Sequence, residues 1–137
     1  MAKGATNNRY KFQYAAKFIC TANFPGTSQT TDAFVAGSYQ TAVNIHNPFN
    51  TRISLRKKIA SPLGISGYLE STLGPDGVER VTCRDIPDFN LHLVHGLEGF
   101  LVIETTDSVD VLAVYTVAPN GGQVSGIEVQ KVKERKL

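Results

Sequence analysis

Apolar and polar residues alternate along most of the chain with a period of two, the pattern typical of β-strands. In FQYAAKFIC, positions 12, 14, 16, 18 and 20 carry Phe, Tyr, Ala, Phe and Cys on one face of an extended segment. Similar segments predict about eight strands, at 12–20, 38–46, 52–60, 67–73, 78–86, 98–105, 109–117 and 123–132. Short strands at this spacing are typical of a sandwich or barrel. We therefore expect an all-β protein, an antiparallel β-sandwich that is immunoglobulin-like or jelly-roll-like.

The segments between these strands carry turn residues. Gly-Pro-Asp-Gly at 74–77 and Asn-Gly-Gly at 120–122 each predict a tight hairpin. The segment 98–105 is apolar on both faces, which indicates a central strand. Lys57 falls on the apolar face of its strand and is interpreted as a device that blunts a sheet edge. The one candidate for a helical turn is 91–96.

The stretch TAVNIHNPFN raises the question whether His46 is a ligand or marks a corner. By the period of two, Val43 and Ile45 face the core and His46 faces away as the last residue of its strand. Asn47 and Pro48 are residues that start turns. We therefore interpret this stretch as a corner and expect His46 to form a hydrogen bond across a hairpin.

Length and composition predict one domain at 12–133, with a polar N-terminal arm at 1–11 and a basic tail at 134–137. The 137 residues are 42% hydrophobic and 19% charged, which is a globular composition. A net charge of +2 predicts no specific nucleic-acid partner. No apolar run is long enough for membrane insertion, and the first residues do not resemble a signal peptide. We expect a soluble protein, cytoplasmic, or extracellular if a leader was removed.

Two cysteines, Cys20 and Cys83, leave two alternatives open. They form one disulfide in an oxidising compartment, or they are two buried thiols that behave as small hydrophobic residues. Their number is too small for a disulfide scaffold, and their spacing matches no zinc motif.

No group of residues predicts catalysis. His92, His95 and Glu98 are three residues apart, a spacing that shares a face on a helix and not on a strand. Cys83 as a nucleophile needs a histidine base that the sequence does not place beside it. The chain has neither a Gly-x-Ser-x-Gly motif nor a phosphate-binding glycine loop. We expect a protein that is not an enzyme and uses no cofactor or metal.

Two sets of residues are candidates for binding. Arg52, Arg56 and Lys58 alternate on the outward face of one predicted strand and could meet an acidic partner, a phosphate or a sugar acid. The alternative is a solvated face that pairs with carboxylates across the sheet. The second set is the loop aromatic residues, which either cover the core or bury in a partner; they are Phe24, Phe34 and Phe49.

The blocks YAAKFIC, TAVNIHNP, RKKIA, CRDI, GFLVIE and VDVLAVYT resemble those of a poorly characterised family of small bacterial proteins. The order of the blocks is also distantly similar to the sensory rhodopsin transducer family. In both, an Asn-containing hairpin precedes a charged strand, and an apolar strand lies near the end. This resemblance implies a β-sandwich that assembles as an oligomer and binds partners without catalysing a reaction.

Two hypotheses about function follow. The first is a structural or interaction protein that self-associates into a homo-oligomer or an extended assembly, since a free sheet edge permits strand addition between subunits. The alternative is a carbohydrate- or anion-binding module that uses the loops 21–37 and 61–67 beside the basic strand. Long loops on a rigid β-scaffold are common binding sites.

Overall fold

The computed structural model describes residues 9–23, 34–91, 96–119 and 123–137. Within them the chain is all-β and antiparallel, as the sequence predicts. A seven-residue 3₁₀ helix, Cys83–Phe89, interrupts the strands. The strands are β1 Phe12–Asn23, β2 Gly37–His46, β3 Ile53–Ser61, β4 Gly64–Ile65, β5 Leu69–Leu73, β6 Val78–Thr82, β7 Gly96–Thr105, β8 Asp110–Ala118, β9 Gly126–Lys131 and β10 Glu134–Lys136. The ten strands exceed the predicted eight because β4 and β10 are only two and three residues long.

The strands pair in two groups. In the first, β7 lies between β1 and β3, which confirms the prediction of a central strand. The outer side of β3 pairs with β4 and β5, and the first residues of β1 pair with β10. In the second group, β2 lies between β6 and β8, and β9 pairs with β8. The last three residues of β1 pair with β2 and join the two groups.

The core contains side chains from both groups. Tyr14 and Phe18 of β1 are buried in the same cluster as Ile45 of β2, Leu101 of β7 and Val111 of β8. Burying an aliphatic or aromatic side chain of this size contributes about 1.5–3 kcal/mol. The period of two places these residues inward, because successive side chains on a strand point to opposite faces.

Two of the bends that carry the chain between the groups lie against each other. The prediction of a hairpin at 74–77 is wrong: β5 pairs with β3 and β6 with β2, so the turn connects strands of different groups. The chain also changes group between β2 and β3, and the bends are joined by backbone hydrogen bonds. Asn47 N–H donates to Gly77 O (2.9 Å), and Asp76 N–H donates to Phe49 O (3.1 Å). Turn residues predict the reversal but not the strand that the next segment pairs with.

Asn47 holds the two bends together. Its side chain is fully buried, and its amide nitrogen lies 2.8 Å from Thr51 O, 3.2 Å from Leu73 O and 2.9 Å from Gly74 O. The amide oxygen accepts a hydrogen bond from Phe49 N–H (3.0 Å). The corner interpretation of this stretch is therefore supported, although the residue at its centre is Asn47 and the corner is not a hairpin.

A short 3₁₀ helix begins at Cys83, where the sequence predicts that the strand continues. The strand predicted at 78–86 ends at Thr82, where Thr82 and Asp85 form a capping box for the 3₁₀ helix. Ile86 and Phe89 of this helix are buried. The turn was predicted at 91–96, of which 92–95 lie outside the described residues. No helix in the described part of the chain is long and apolar enough to cross a membrane.

Two further expectations about β3 are corrected. β3 is paired on both sides, so Lys57 does not blunt a sheet edge. Its amine instead forms an ion pair with Glu79 of β6, and the side chains of both residues are mostly buried. The segment 61–67 is not a long loop, because Ser61 pairs with Gly64 in a tight turn between β3 and β4.

Both ends of the described chain contribute to the first group. Of the predicted arm, residues 9–11 lie along the sheet, with Lys11 N–H donating to Thr105 O (2.8 Å), and residues 1–8 lie outside the described part. The predicted tail forms β10, and Leu137 N–H donates to Lys11 O (2.9 Å). The predicted basic tail is therefore part of the sheet, because its backbone pairs with β1.

Cys20 and Cys83 form a disulfide, which is one of the two alternatives that the sequence leaves open. Their Cα atoms are 5.7 Å apart, and the residues are separated by 63 positions. The bond connects β1 of the first group to the 3₁₀ helix that follows β6 of the second group. It is therefore a covalent link between the two groups of strands.

Candidate functional site

The basic residues predicted to alternate along one strand, Arg52, Arg56 and Lys58, lie on the outer face of the first group. Arg56 and Lys58 belong to β3, whereas Arg52 precedes the strand and donates a hydrogen bond to the Thr72 hydroxyl (3.1 Å). The three residues therefore do not have equivalent surroundings, although they alternate in the sequence.

Arg56 is held by a carboxylate and two tyrosine rings. Its Nη2 lies 2.6 Å from Glu104 Oε1, and its Nε donates to the same oxygen (2.8 Å). The guanidinium carbon lies 4.5 Å from the centre of the Tyr10 ring and 4.0 Å from the centre of the Tyr68 ring. The ion pair and the cation–π contacts both stabilise the guanidinium in this position.

Glu104 connects Arg56 to the rest of the sheet. Its side chain is only 5% exposed on β7, and burial acts to raise its pKa. Hydrogen bonds from Arg56 and from Gln13 Nε2 (2.8 Å) outweigh burial and hold the pKa of Glu104 below its usual value. Gln13 Oε1 in turn accepts a hydrogen bond from Arg135 Nη2 (2.6 Å). These four hydrogen-bonded side chains lie on the neighbouring strands β3, β7, β1 and β10. The carboxylate of Glu104 neutralises the charge of Arg56.

Lys58 and Arg9 complete the surface that we call the cation–tyrosine face, defined by Arg9, Tyr10, Arg56, Lys58 and Tyr68. Lys58 Nζ lies 4.9 Å from the centre of the Tyr68 ring. Arg9 lies 5.3 Å from the centre of the Tyr10 ring and donates to the Ser54 hydroxyl (2.8 Å). The sequence does not predict that the two tyrosines meet Arg56, because Tyr10 lies in the predicted arm and Tyr68 lies in a different predicted strand.

The candidate phenylalanines lie elsewhere. Phe24 is outside the described residues. Phe34 is partly buried, with its ring centre 5.0 Å from that of Tyr39 at the start of β2. Phe49 is 42% exposed at the bend between β2 and β3. The structure therefore places Phe34 and Phe49 in two separate surroundings.

His46 ends β2, as predicted, between two carboxylates. Its Nδ1 lies 2.8 Å from Asp110 Oδ2 on the neighbouring β8, and its Nε2 lies 2.6 Å from Asp76 Oδ1 in the β5–β6 turn. Hydrogen bonds to Asp110 and Asp76 raise the pKa of His46 above its ordinary value. The contacts cross from β2 to a neighbouring strand and to a bend, rather than across a hairpin.

The residues considered for catalysis and metal binding are not assembled into a site in the described part of the chain. Cys83 is bonded to Cys20 and is not a free thiol. Glu98 forms an ion pair with Lys17, and His92 and His95 lie outside the described residues. Among the residues that the structure describes, no three His, Cys, Asp or Glu side chains are close enough to hold a metal ion.

β9 carries an exposed apolar surface at the edge of the second group. Within the described residues, β9 pairs with β8 alone. Ile127 is 68% exposed and Val129 is 57% exposed, and they lie on the same face as the partly exposed Leu112 of β8. A period of two in the sequence shows that Ile127 and Val129 share a face, but not whether that face meets solvent.

Comparisons with known proteins show the fold alone. No protein-family model and no curated protein matches the chain. The crystal structure of Thermotoga maritima 1070 is similar, with a TM-score of 0.60 over 93% of this chain and 96% of that chain. The two sequences are 7% identical, so the similarity concerns the arrangement of strands.

Proposed function

We propose that this protein is a non-catalytic interaction protein, a β-sandwich subunit that self-associates into a homo-oligomer. In this proposal the two groups of strands are the two layers of the sandwich. The Lys57–Glu79 ion pair and the Cys20–Cys83 disulfide both connect the groups, which supports the layered arrangement.

The observation that carries the proposal is the exposed apolar edge at β9. Edge strands of stable monomers are usually short, charged or covered, because unpaired backbone groups beside apolar side chains favour association with another chain. β9 carries Glu128 and Lys131, but it also exposes Ile127 and Val129 over a strand of six residues. A second copy of the chain would satisfy this edge.

Light scattering coupled to size exclusion tests the proposal. We expect the protein to have a mass that is a multiple of the chain mass, and Ile127→Lys to shift it to the monomer, because a charge on the apolar edge opposes association. Leu63→Lys is the matched control, since Leu63 is 80% exposed in the turn between β3 and β4. A monomeric wild-type protein at high concentration contradicts self-association, and monomers from both variants would contradict the role of β9.

The second candidate function is a carbohydrate- or anion-binding module, and the cation–tyrosine face favours it. This face presents the Lys58 amine and the Tyr68 ring together, a combination that suits a sugar acid. The predicted loop 61–67 is a tight turn, so the face on β3 replaces it as the candidate surface.

Thermal-shift measurements with a uronic-acid polysaccharide test this candidate. A ligand that raises the unfolding temperature of wild type, but not of Lys58→Ala or Tyr68→Ala, supports binding at the face. Lys133→Ala is the control for loss of a surface charge, since Lys133 is exposed between β9 and β10. An equal shift in all four proteins indicates non-specific attraction and contradicts a site at Tyr68.

A further inference from the structure

We propose that two copies of the chain pair through β9, antiparallel, across a two-fold axis that passes through Val129. The inference rests on the proposed self-association and adds its geometry. The second group contributes four strands from each copy, β6, β2, β8 and β9, so the pairing produces one continuous eight-stranded sheet.

The hydrogen bonds between β8 and β9 define which backbone groups of β9 remain available for pairing with a second copy. Val132 N–H donates to Val111 O (2.9 Å), in line with the register that pairs Leu112 with Lys131. Along an antiparallel pair, hydrogen-bonded and non-hydrogen-bonded residues alternate. The N–H and C=O groups of Val129 therefore point away from β8, together with those of Ile127 and Lys131.

A two-fold axis allows few registers for this edge. Outward-pointing residues must pair with outward-pointing residues, so the axis passes through a residue of β9, and only an axis at Glu128 or Val129 pairs five of the six residues of the strand. An axis at Glu128 places two carboxylates directly opposite each other, which is destabilising. An axis at Gln130 pairs only the last residues of β9 and leaves Ile127 beyond the partner strand.

The axis at Val129 is the register in which the side chains complement each other. Val129 lies opposite its own copy, with the Cα atoms about 5.5 Å apart in a hydrogen-bonded pair. Ile127 lies opposite Lys131 of the partner subunit, whose aliphatic chain can cover it while the amine stays in water. Glu128 lies opposite Gln130 of the partner subunit, so no like charges meet. All residues from Ile127 to Lys131 are paired, and the chain is self-complementary at this edge.

Cysteine cross-linking distinguishes the registers. We expect Val129→Cys to form a covalent dimer under mild oxidation, because its Cα separation from its copy lies within the range that a disulfide spans. Glu128→Cys and Gln130→Cys are the matched controls. In this register each control residue is displaced by two positions from its copy in the partner subunit, roughly 7 Å along the strand. The copy also lies on the neighbouring strand, so the two Cα atoms are too far apart for a disulfide. A mixture of the two controls should cross-link, because these positions face each other.

Each outcome has a definite meaning. Cross-linking by Val129→Cys and by the mixture, with neither control linking alone, supports the inference. Cross-linking of Glu128→Cys or of Gln130→Cys with its own copy places the two-fold axis at that residue and overturns the inference. A dimeric mass by light scattering with no cross-link at any of the three positions overturns pairing through β9 and leaves self-association standing. A monomeric wild type overturns both, and equal unfolding temperatures of the reduced variants show that each is folded.

Discussion

At the scale of single residues, Asn47 is a polar side chain that is fully buried and bonds to the backbone of both bends. Its buried amide holds the backbones of both bends, through contacts to Thr51, Leu73 and Gly74. The sequence predicts that Asn47 starts a turn, and the hydrogen bond from Phe49 N–H to its side chain fits that prediction. The contacts to Leu73 and Gly74 join segments 26 and 27 positions apart, which local turn chemistry does not predict.

We predict that Asn47→Ala lowers the free energy of unfolding by about 3 kcal/mol, because it removes a fully buried amide that bonds to three carbonyl groups, one of them in a buried hydrogen bond. Asn50→Ala is the matched control, since Asn50 is exposed in the same bend and its loss should cost about 0.5 kcal/mol or less. Denaturant unfolding of both variants measures the difference. Equal stability of the two variants would show that Asn47 does not hold the bends.

His46 makes stability depend on pH. The folded state raises the pKa of His46 above its ordinary value of 6.5 through its hydrogen bonds to Asp110 and Asp76. The charged imidazole therefore stabilises the fold fully below pH 6.5, and this contribution is lost as the pH rises through the raised pKa. The variant His46→Gln has no imidazole, so its side chain does not change charge over this pH range.

We predict that wild type is more stable than His46→Gln at pH 5.5 and that the difference narrows by pH 9. Unfolding temperatures measured across this interval in a low-salt buffer provide the comparison, since salt screens exposed charges. Asp110→Asn, which removes one carboxylate and retains the histidine, should reduce the pH dependence in part. A constant difference at all pH values would contradict the double ion pair.

At the scale of elements, the strands were predictable and their partners were not. The alternation of apolar residues places each predicted strand within a few residues of an observed one, because one face of each strand packs on the core. The turn at 74–77 was recognised from its Pro-Asp-Gly residues, but the pairing of β5 with β3 depends on segments distant in the sequence. β10 was missed because its three residues are all charged and carry no apolar position, whereas its backbone and polar side chains bond to β1.

The disulfide is the element-scale feature with the clearest effect on stability. It closes a loop between residues separated by 63 positions. A loop of this length lowers the conformational entropy of the unfolded chain, which stabilises the folded state by about 4 kcal/mol. We predict that the double variant Cys20→Ser, Cys83→Ser loses about this much stability. Chemical denaturation with and without reductant checks the prediction, because reductant should destabilise wild type and leave the double variant unchanged. Insensitivity of wild type to reductant would contradict the bond.

At the scale of the whole molecule, the sequence predicted the candidate surface only in part. Arg56 and Lys58 were identified by their alternation on one strand, and both lie on its outer face. Their partners Tyr10 and Tyr68 belong to segments at opposite sides of β3 in the sequence, and only the folded sheet brings the rings to the guanidinium. The exposure of Ile127 was not predictable either, because burial depends on what lies across from a face.

The pairing of β1 with β10 has a consequence for biosynthesis. Tyr14 Oη donates a hydrogen bond to Glu134, and the two residues are separated by 120 positions. At typical rates of translation, β1 is synthesised on the order of ten seconds before β10. During that interval the first strand lacks a neighbour on one side of its opening residues, so a growing chain cannot complete its fold. Arrested translation products that contain β1 without β10 are therefore the forms of this protein that we expect to engage chaperones.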